Sequence, residues 1–337
     1  MIEKLNTIGN TQLIKINYEY NGKEKYIYAK LEYYNLTGSI KDRVAYYIIK
    51  NAYKRGELIE NKPIIEATSG NTGISISALG ALYKNPVYIF MPDWASKERI
   101  KLMENYGAKV ILFSKEEGGF IRCIEEAKKI AIEKDGFLAN QFSNIDNFIA
   151  HYETTGEEII KQLPEEVSAF ISGVGTGGTL MGVGKRLKKE YENLKIVALE
   201  PEKMALLSGK EIKEHHKIEG IGDDFIPELV DKKVIDEIIL VNDEDAINMS
   251  RLLAKKLGLG VGISSGANFI ASVLMNDKLE KPVITVFADD NKKYLSTELS
   301  KDLDENLEFI SNKIILKGFN IWLKVDKIIH FFIYIIM

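Results

Sequence analysis

The run Asn35-Leu36-Thr37-Gly38-Ser39-Ile40-Lys41-Asp42-Arg43 sets one lysine after a Gly-Ser turn and before a helical pattern over residues 44–53. A lysine at a helix mouth packs against backbone. With Arg43 close enough to disfavour its protonated form, its amine becomes a nucleophile able to hold a carbonyl cofactor as a Schiff base. The plainer alternative is a surface turn carrying a solvated Lys-Asp-Arg cluster.

A second chemical loop, residues 172–180, reads Ser-Gly-Val-Gly-Thr-Gly-Gly-Thr-Leu between an apolar strand-like run and a helical pattern. Backbone N–H groups there, backed by the positive end of the following helix, make a phosphate cradle that needs no basic side chain. Thr176 and Thr179 add hydroxyl donors. The same glycines, Gly173, Gly175 and Gly178, satisfy G-x-G-x-x-G, and Glu200 ends a strand 22 residues after Gly178. A nicotinamide-dependent dehydrogenase is therefore a rival. The loop over 66–73, Glu-Ala-Thr-Ser-Gly-Asn-Thr-Gly, also joins a short apolar run to a helical pattern, and it offers amides and hydroxyls to a substrate carboxylate; helix capping is compatible with that role. Residues 262–267, Gly-Ile-Ser-Ser-Gly-Ala, read as a third small-residue loop before a helix.

These loops need a scaffold of alternating strands and helices, and the pattern supplies one. Short apolar runs at 87–91, 109–113, 169–172, 195–199 and 282–287 suit buried parallel strands. Amphipathic stretches at 96–106, 120–133 and 243–257 lie between them. The expected architecture is doubly wound α/β, with a boundary near 141–152. The 337 residues suffice for two such lobes. A net charge of -4 with scattered lysines gives no sign of a nucleic-acid partner. The single cysteine, Cys123, excludes a disulfide framework and a cysteine-based metal site, and it reads as a core residue. Four histidines offer little for zinc, so no metal is expected. No leader of the secretory kind opens the chain, which points to the cytoplasm. From about residue 306 the alternation is lost. The closing apolar run, 328–337, is too short to span a bilayer, which takes roughly 20 residues.

Taken in order, residues 35–43, 68–73, 151–156, 175–179, 216–222, 262–267 and 294–297 resemble the cysteine synthase family and its cystathionine β-synthase cousins, over roughly residues 3–300. These are pyridoxal-phosphate enzymes of fold-type II. The resemblance implies a two-lobed fold. Residues 1–34 would pack with the larger lobe, 35–147 form the smaller, carboxylate-binding lobe, 148–304 form the larger, phosphate-binding lobe, and 305–337 form an atypical tail. It also implies a homodimer, with small amino acids and sulfide or a thiol as partners and no membrane. By position, Lys41 matches the lysine that holds pyridoxal 5'-phosphate. Asn71 matches the asparagine at the cofactor's 3-hydroxyl. Gly175, Thr176, Gly177, Gly178 and Thr179 match the phosphate loop, and Ser264 the serine at the pyridine nitrogen. Thr68, Ser69, Gly70, Thr72 and Gln141 match the substrate-carboxylate site. The implied reaction is β-replacement on a three-carbon amino acid, with O-acetylserine and sulfide giving cysteine and acetate.

The chain departs from the family pattern in two places. Asn35-Leu36-Thr37-Gly38 stands where Asn-Pro-Ser-Gly is usual, a difference that bears on loop rigidity. After Gly222, where cysteine synthases carry Ala-Gly, this chain carries Asp223-Asp224-Phe225-Ile226-Pro227, nearer to cystathionine β-synthase. A carboxyl there, Asp223 first and Asp224 second, could protonate a poor leaving group. That opens the alternative of a cysteine- or serine-consuming enzyme that releases sulfide; two solvated loop carboxylates are the plain reading. A pyridoxal-phosphate scaffold that only binds a partner is opposed by intact Lys41, Asn71 and Ser264. His215 and His216 read as solvated.

Overall fold

The computed structural model describes residues 5–210, 215–304, 306 and 308–322. In chain order the elements are β1 (Leu13–Tyr20), β2 (Lys23–Leu31), α1 (Lys41–Arg55), β3 (Ile64–Ala67), α2 (Asn71–Tyr83), β4 (Val87–Pro92), α3 (Lys97–Asn105), β5 (Lys109–Phe113) and α4 (Gly119–Glu133). There follow β6 (Phe137–Leu138), α5 (Ile145–Ala150), α6 (Glu157–Gln162), β7 (Ala169–Gly173), α7 (Gly178–Glu190), β8 (Lys195–Pro201) and β9 (Glu237–Val241). Then come α8 (Asp243–Leu257), α9 (Ile263–Lys278), β10 (Val283–Phe287) and β11 (Ile315–Trp322).

Two sheets result. The smaller orders β5-β4-β3-β6, and its pairs are parallel. The larger orders β11-β1-β2-β10-β7-β8-β9, parallel from β2 to β9 and antiparallel at the β11-β1-β2 edge. Strands covered on both faces must be apolar on both faces. Accordingly Ile171, Val197 and Val283 enter one core of the larger sheet, while their neighbours Phe170, Ile196 and Ile284 enter the core on the other face. The smaller sheet has its own main core, in which Ile64, Ile74, Leu79, Ile89 and Met103 meet Val44, Ile48 and Ile49 of α1. The α/β fold with parallel sheets agrees with the sequence reading.

The N-terminal segment divides. β1 and β2 join the larger sheet, while Leu5 and Ile8 pack on the core of the smaller one. Asn21 and Gly22 turn that hairpin with both φ values positive, 52° and 71°, as a two-residue turn matching strand twist demands. One expectation needs correction. Residues 262–267 are not a loop but the N-cap and opening turns of α9. Within 141–152, the Asn144 side chain caps α5 by accepting from Asp146 N–H, and α5 runs into a π-helical turn, His151–Gly156. Beyond residue 306, β11 pairs with β1. The apolar run 328–337 lies outside the described residues.

Candidate functional site

Lys41 opens α1 because the turn before it is tied down. Gly38 takes φ 82°, and the Asp42 carboxylate accepts from Thr37 N–H at 2.8 Å and from the Thr37 hydroxyl at 2.6 Å. Asp42 and Arg43 are buried, so a solvated charge cluster is excluded. Burial holds the Lys41 amine below the usual lysine range, against the opposing charges of Asp223 and Asp289. Arg43 is not the cause expected from the sequence. Its guanidinium is spent on Glu32 and Glu158, each at 2.6 Å.

Lys41 faces one cavity between the strand-to-helix loops of both sheets. Thr68, Ser69, Gly70, Asn71 and Thr72 line it from the β3–α2 loop and the start of α2, and Gln141 lines it beside them. The Thr72 hydroxyl donates to Gln141 Oε1 at 2.6 Å, and Gln141 Nε2 donates to the Ala67 carbonyl. From the β7–α7 loop come Gly175, Thr176 and Gly177, and from the first turn of α7 comes Thr179. Two of these glycines are required. Gly177 has φ 84°, and a Cβ on Gly175 would lie 2.5 Å from the Gly220 carbonyl oxygen. Gly178 does not line the cavity. Its N–H bonds Thr176 Oγ1, and a Cβ there would strike Asn147. Ser264, in the first turn of α9, lines the same cavity, as does Asp223. Asp224 is exposed and not on the cavity. Burial, then the neighbouring Asp224 charge, raises Asp223 from 3.8 to about 6, with Lys41 opposing.

Several residues that position this site carry little signal in sequence. His151 is buried, with Nδ1 at 3.0 Å from the Thr155 hydroxyl and Nε2 at 3.2 Å from that of Thr179. Burial, then the Lys41 and Arg43 charges, hold it well below the usual imidazole range, so a neutral ring supports the phosphate loop. Asn147 Nδ2 joins Thr176 Oγ1 at 2.8 Å to the Gln141 carbonyl at 2.9 Å, tying the phosphate side to the carboxylate side. His216 is buried rather than solvated. Its Nδ1 accepts from Ile218 N–H, so Nε2–H donates to the Gly222 carbonyl at 2.6 Å, just before Asp223. Arg99 of α3 pairs with Glu219, and both line the cavity. His151 and Thr155 stand four apart, the one spacing that hinted at a shared helical face.

The residues fit pyridoxal phosphate. Asn71 Oδ1 is buried without a partner in the wall that Lys41 shares, so a hydroxyl entering there would satisfy it. The β7–α7 loop packs so closely that it admits only glycine at 175 and 177, and it ends on a thirteen-residue helix. Lys41 would hold the aldehyde carbon, the 175–179 loop the phosphate, and Ser264 the ring nitrogen. Glu200, which a dehydrogenase would turn to a ribose, instead accepts from Leu207 N–H, Ser208 N–H and the Ser208 hydroxyl. Among the described residues, no group of three or more His, Cys, Asp or Glu could hold a metal ion, and no helix is long and apolar enough to cross a membrane.

Residues 4–289 match the family described as pyridoxal-phosphate dependent enzyme. The chain is 41% identical over 295 residues to a cysteine synthase of Staphylococcus aureus, covering 87% of this chain and 94% of that one. It is 48% identical to a solved hydrogen sulfide-producing enzyme from Fusobacterium nucleatum, with a TM-score of 0.90 and 95% and 97% of the two chains covered. A cysteine synthase from Entamoeba histolytica is 39% identical, with a TM-score of 0.84 and 93% and 97% covered. The family match takes in each loop that faces the cavity, and the likeness spans nearly the whole of both chains. The protein belongs to the pyridoxal-phosphate-dependent enzymes, within the cysteine synthase family.

Proposed function

We propose that this cysteine synthase-like β-replacement enzyme takes L-cysteine as its first substrate and releases sulfide. The carrying observation is Asp223, a carboxyl raised to about 6 on the wall of the cavity that holds Lys41. Bound pyridoxal phosphate supplies the electron sink that makes the Cα proton removable. The Lys41 amine, its pKa lowered by burial, takes that proton. Thr68, Ser69, Thr72 and Gln141 hold the substrate carboxylate. As the Cβ–S bond breaks, the electron pair leaves with sulfur, and Asp223 gives sulfur its proton. The ionised Asp223 then takes a proton from the water or thiol that adds at Cβ. Asp224, exposed, transfers no proton here; its charge only helps to raise Asp223. The names of the solved hydrogen sulfide-producing relatives support the same reading.

A second reading has support of its own: cysteine synthesis from O-acetylserine and sulfide, the activity named for the curated relatives. Acetate leaves without a proton, so this reading asks for no acid at Asp223 in the elimination step. The test is the cofactor-loaded enzyme given L-cysteine alone, with sulfide and amino-acid products measured. Sulfide matched by serine or a thioether supports the proposal. Little sulfide, with brisk cysteine formation from O-acetylserine and sulfide, establishes the second reading instead. The proposal extends to a homodimer acting in the cytoplasm, the first part checked by mass in solution.

A further inference from the structure

We propose that Asn147 is a positioning residue for the phosphate side of the site: it turns the Thr176 hydroxyl so that its hydrogen points into the cavity, at the phosphate. Asn147 lies on α5, is fully buried, and does not line the cavity. Its Nδ2 donates to the Gln141 carbonyl at 2.9 Å and to Thr176 Oγ1 at 2.8 Å. Its Oδ1 is buried without a partner and lies against Gly178, where an added Cβ would fall 2.0 Å from it. The surroundings fix this orientation of the amide. A carbonyl cannot donate, so turning the amide over would set its oxygen against the Gln141 carbonyl and leave the NH2 facing the Gly178 methylene.

The direction of the Thr176 hydroxyl follows from that. Its oxygen accepts from Asn147 and, at 3.4 Å, from Gly178 N–H, and among the described residues no acceptor takes its hydrogen. Thr176 lines the cavity, so the hydrogen is left for an anion there. A hydroxyl that is itself accepting also donates more strongly. Among the described residues, the cations lining the cavity are Lys41 and Arg99. Lys41 serves the aldehyde end of the cofactor, and Arg99 is paired with Glu219. With neither of them on the β7–α7 loop, the phosphate side depends on backbone N–H groups and on hydroxyls aimed at the anion. Asn147 thus strengthens the hold on phosphate through Thr176 without touching it. This inference rests on the cofactor alone and is independent of which amino acid is the first substrate.

The test compares pyridoxal phosphate with pyridoxal, which has the same ring and aldehyde and no phosphate. Each is titrated into the full chain freed of cofactor, and the ratio of the two dissociation constants isolates the phosphate's share. In Asn147→Asp the side chain keeps its shape, but a carboxyl carries at most one hydrogen where the NH2 carries two. Buried between two oxygens, that carboxyl stays protonated, and its one hydrogen goes to the Gln141 carbonyl. Thr176 must then donate to the carboxyl, which turns its hydrogen away from the cavity. The preference for the phosphorylated form is expected to fall about 10- to 100-fold, the span of a hydrogen bond to a charged group. Thr176→Val should show the same fall, and adding Asn147→Asp to it should change the preference by less than about twofold. A residue that only fills space would weaken both ligands alike and leave the ratio as in wild type. An unchanged ratio in Thr176→Val or in Asn147→Asp overturns the proposal, as does an additive loss in the double variant. If Asn147→Asp does not fold, Asn147→Leu carries the decision. A few-fold fall that vanishes in the Thr176→Val background supports the proposal, and one that persists there overturns it.

Discussion

Asp223 is where the residue scale decides the chemistry, because burial and a neighbouring charge act on it in the same direction. As a proton donor to departing sulfur it works only when protonated, so sulfide release from L-cysteine should decline as pH rises past about 6. Asp223→Asn should lower that release by about 10² to 10⁴, the usual worth of general acid catalysis, while changing turnover of O-acetylserine by only a few-fold. Equal losses with both substrates would sink the assignment. The same shift makes a stability claim. The folded pKa of about 6 lies above the ordinary 3.8, so the folded chain binds this proton more tightly than the unfolded chain. The stabilisation is complete below about pH 4 and is lost as pH rises through 6. Cofactor-free Asp223→Asn should therefore melt higher than wild type at about pH 8 and alike at about pH 4, measured by thermal scans. Both effects were half-visible in sequence. An acidic pair after Gly222 can be read off the chain, but only the fold shows that Asp223 lines the cavity and Asp224 meets solvent.

At the scale of elements, the site is a set of strand-to-helix junctions, and these are the parts a sequence displays best. Apolar runs mark the strands, and the Gly, Ser and Thr clusters between runs and helical patterns mark the loops. Lys41, Asn71 and the 175–179 loop were legible for that reason. His151, Asn147 and Asp289 were not, because each acts from an element whose local sequence gives no hint of what lies across the cavity. Asp289 is 218 residues from the Asn71 amide it holds, and Asn147 is 29 from Thr176. The glycines show the same limit. The sequence marks a Gly-rich turn, while the reason Gly175 admits no side chain is a backbone carbonyl from residue 220. Gly175→Ala must displace either the phosphate loop or the loop that leads to Asp223. The variant should hold pyridoxal phosphate at least about tenfold more weakly than wild type, a loss of about 1.4 kcal/mol in a site of charge-assisted hydrogen bonds. Equilibrium titration of the cofactor-free protein reads this directly, and wild-type affinity would mean the loops give way freely.

For the whole molecule, the outer edge of the larger sheet separates stability from chemistry. β11 lies at one end of the strand order, with β1, β2 and β10 between it and β7, whose following loop forms the phosphate side of the cavity. It pairs with β1 from Leu13–Trp322 to Glu19–Ile315, and Leu316 and Phe319 pack against the main core of that sheet. Removing residues 314 onward takes away those ladder bonds and the apolar cover, and it bares the edge of β1. Burial of Ile314, lost with them, is worth about 1.5–3 kcal/mol, and the partly buried Leu316 and Phe319 add less each, all reduced by the order lost with the strand. A chain of this size should then melt roughly 5–10 °C lower, at 2–4 °C for each kcal/mol. An exposed edge of alternating apolar residues should also make the truncated protein associate on storage. Among the described residues, no hydrogen bond joins the cavity lining to β11, so the truncated enzyme should still fill with cofactor and show the wild-type visible spectrum below its melting range. A normal melting point after truncation would mean that β11 adds no stability. Loss of the spectrum at low temperature would mean that the edge strand and the site fold as one unit, and that the cavity between the two sheets' loops depends on the full width of the larger sheet.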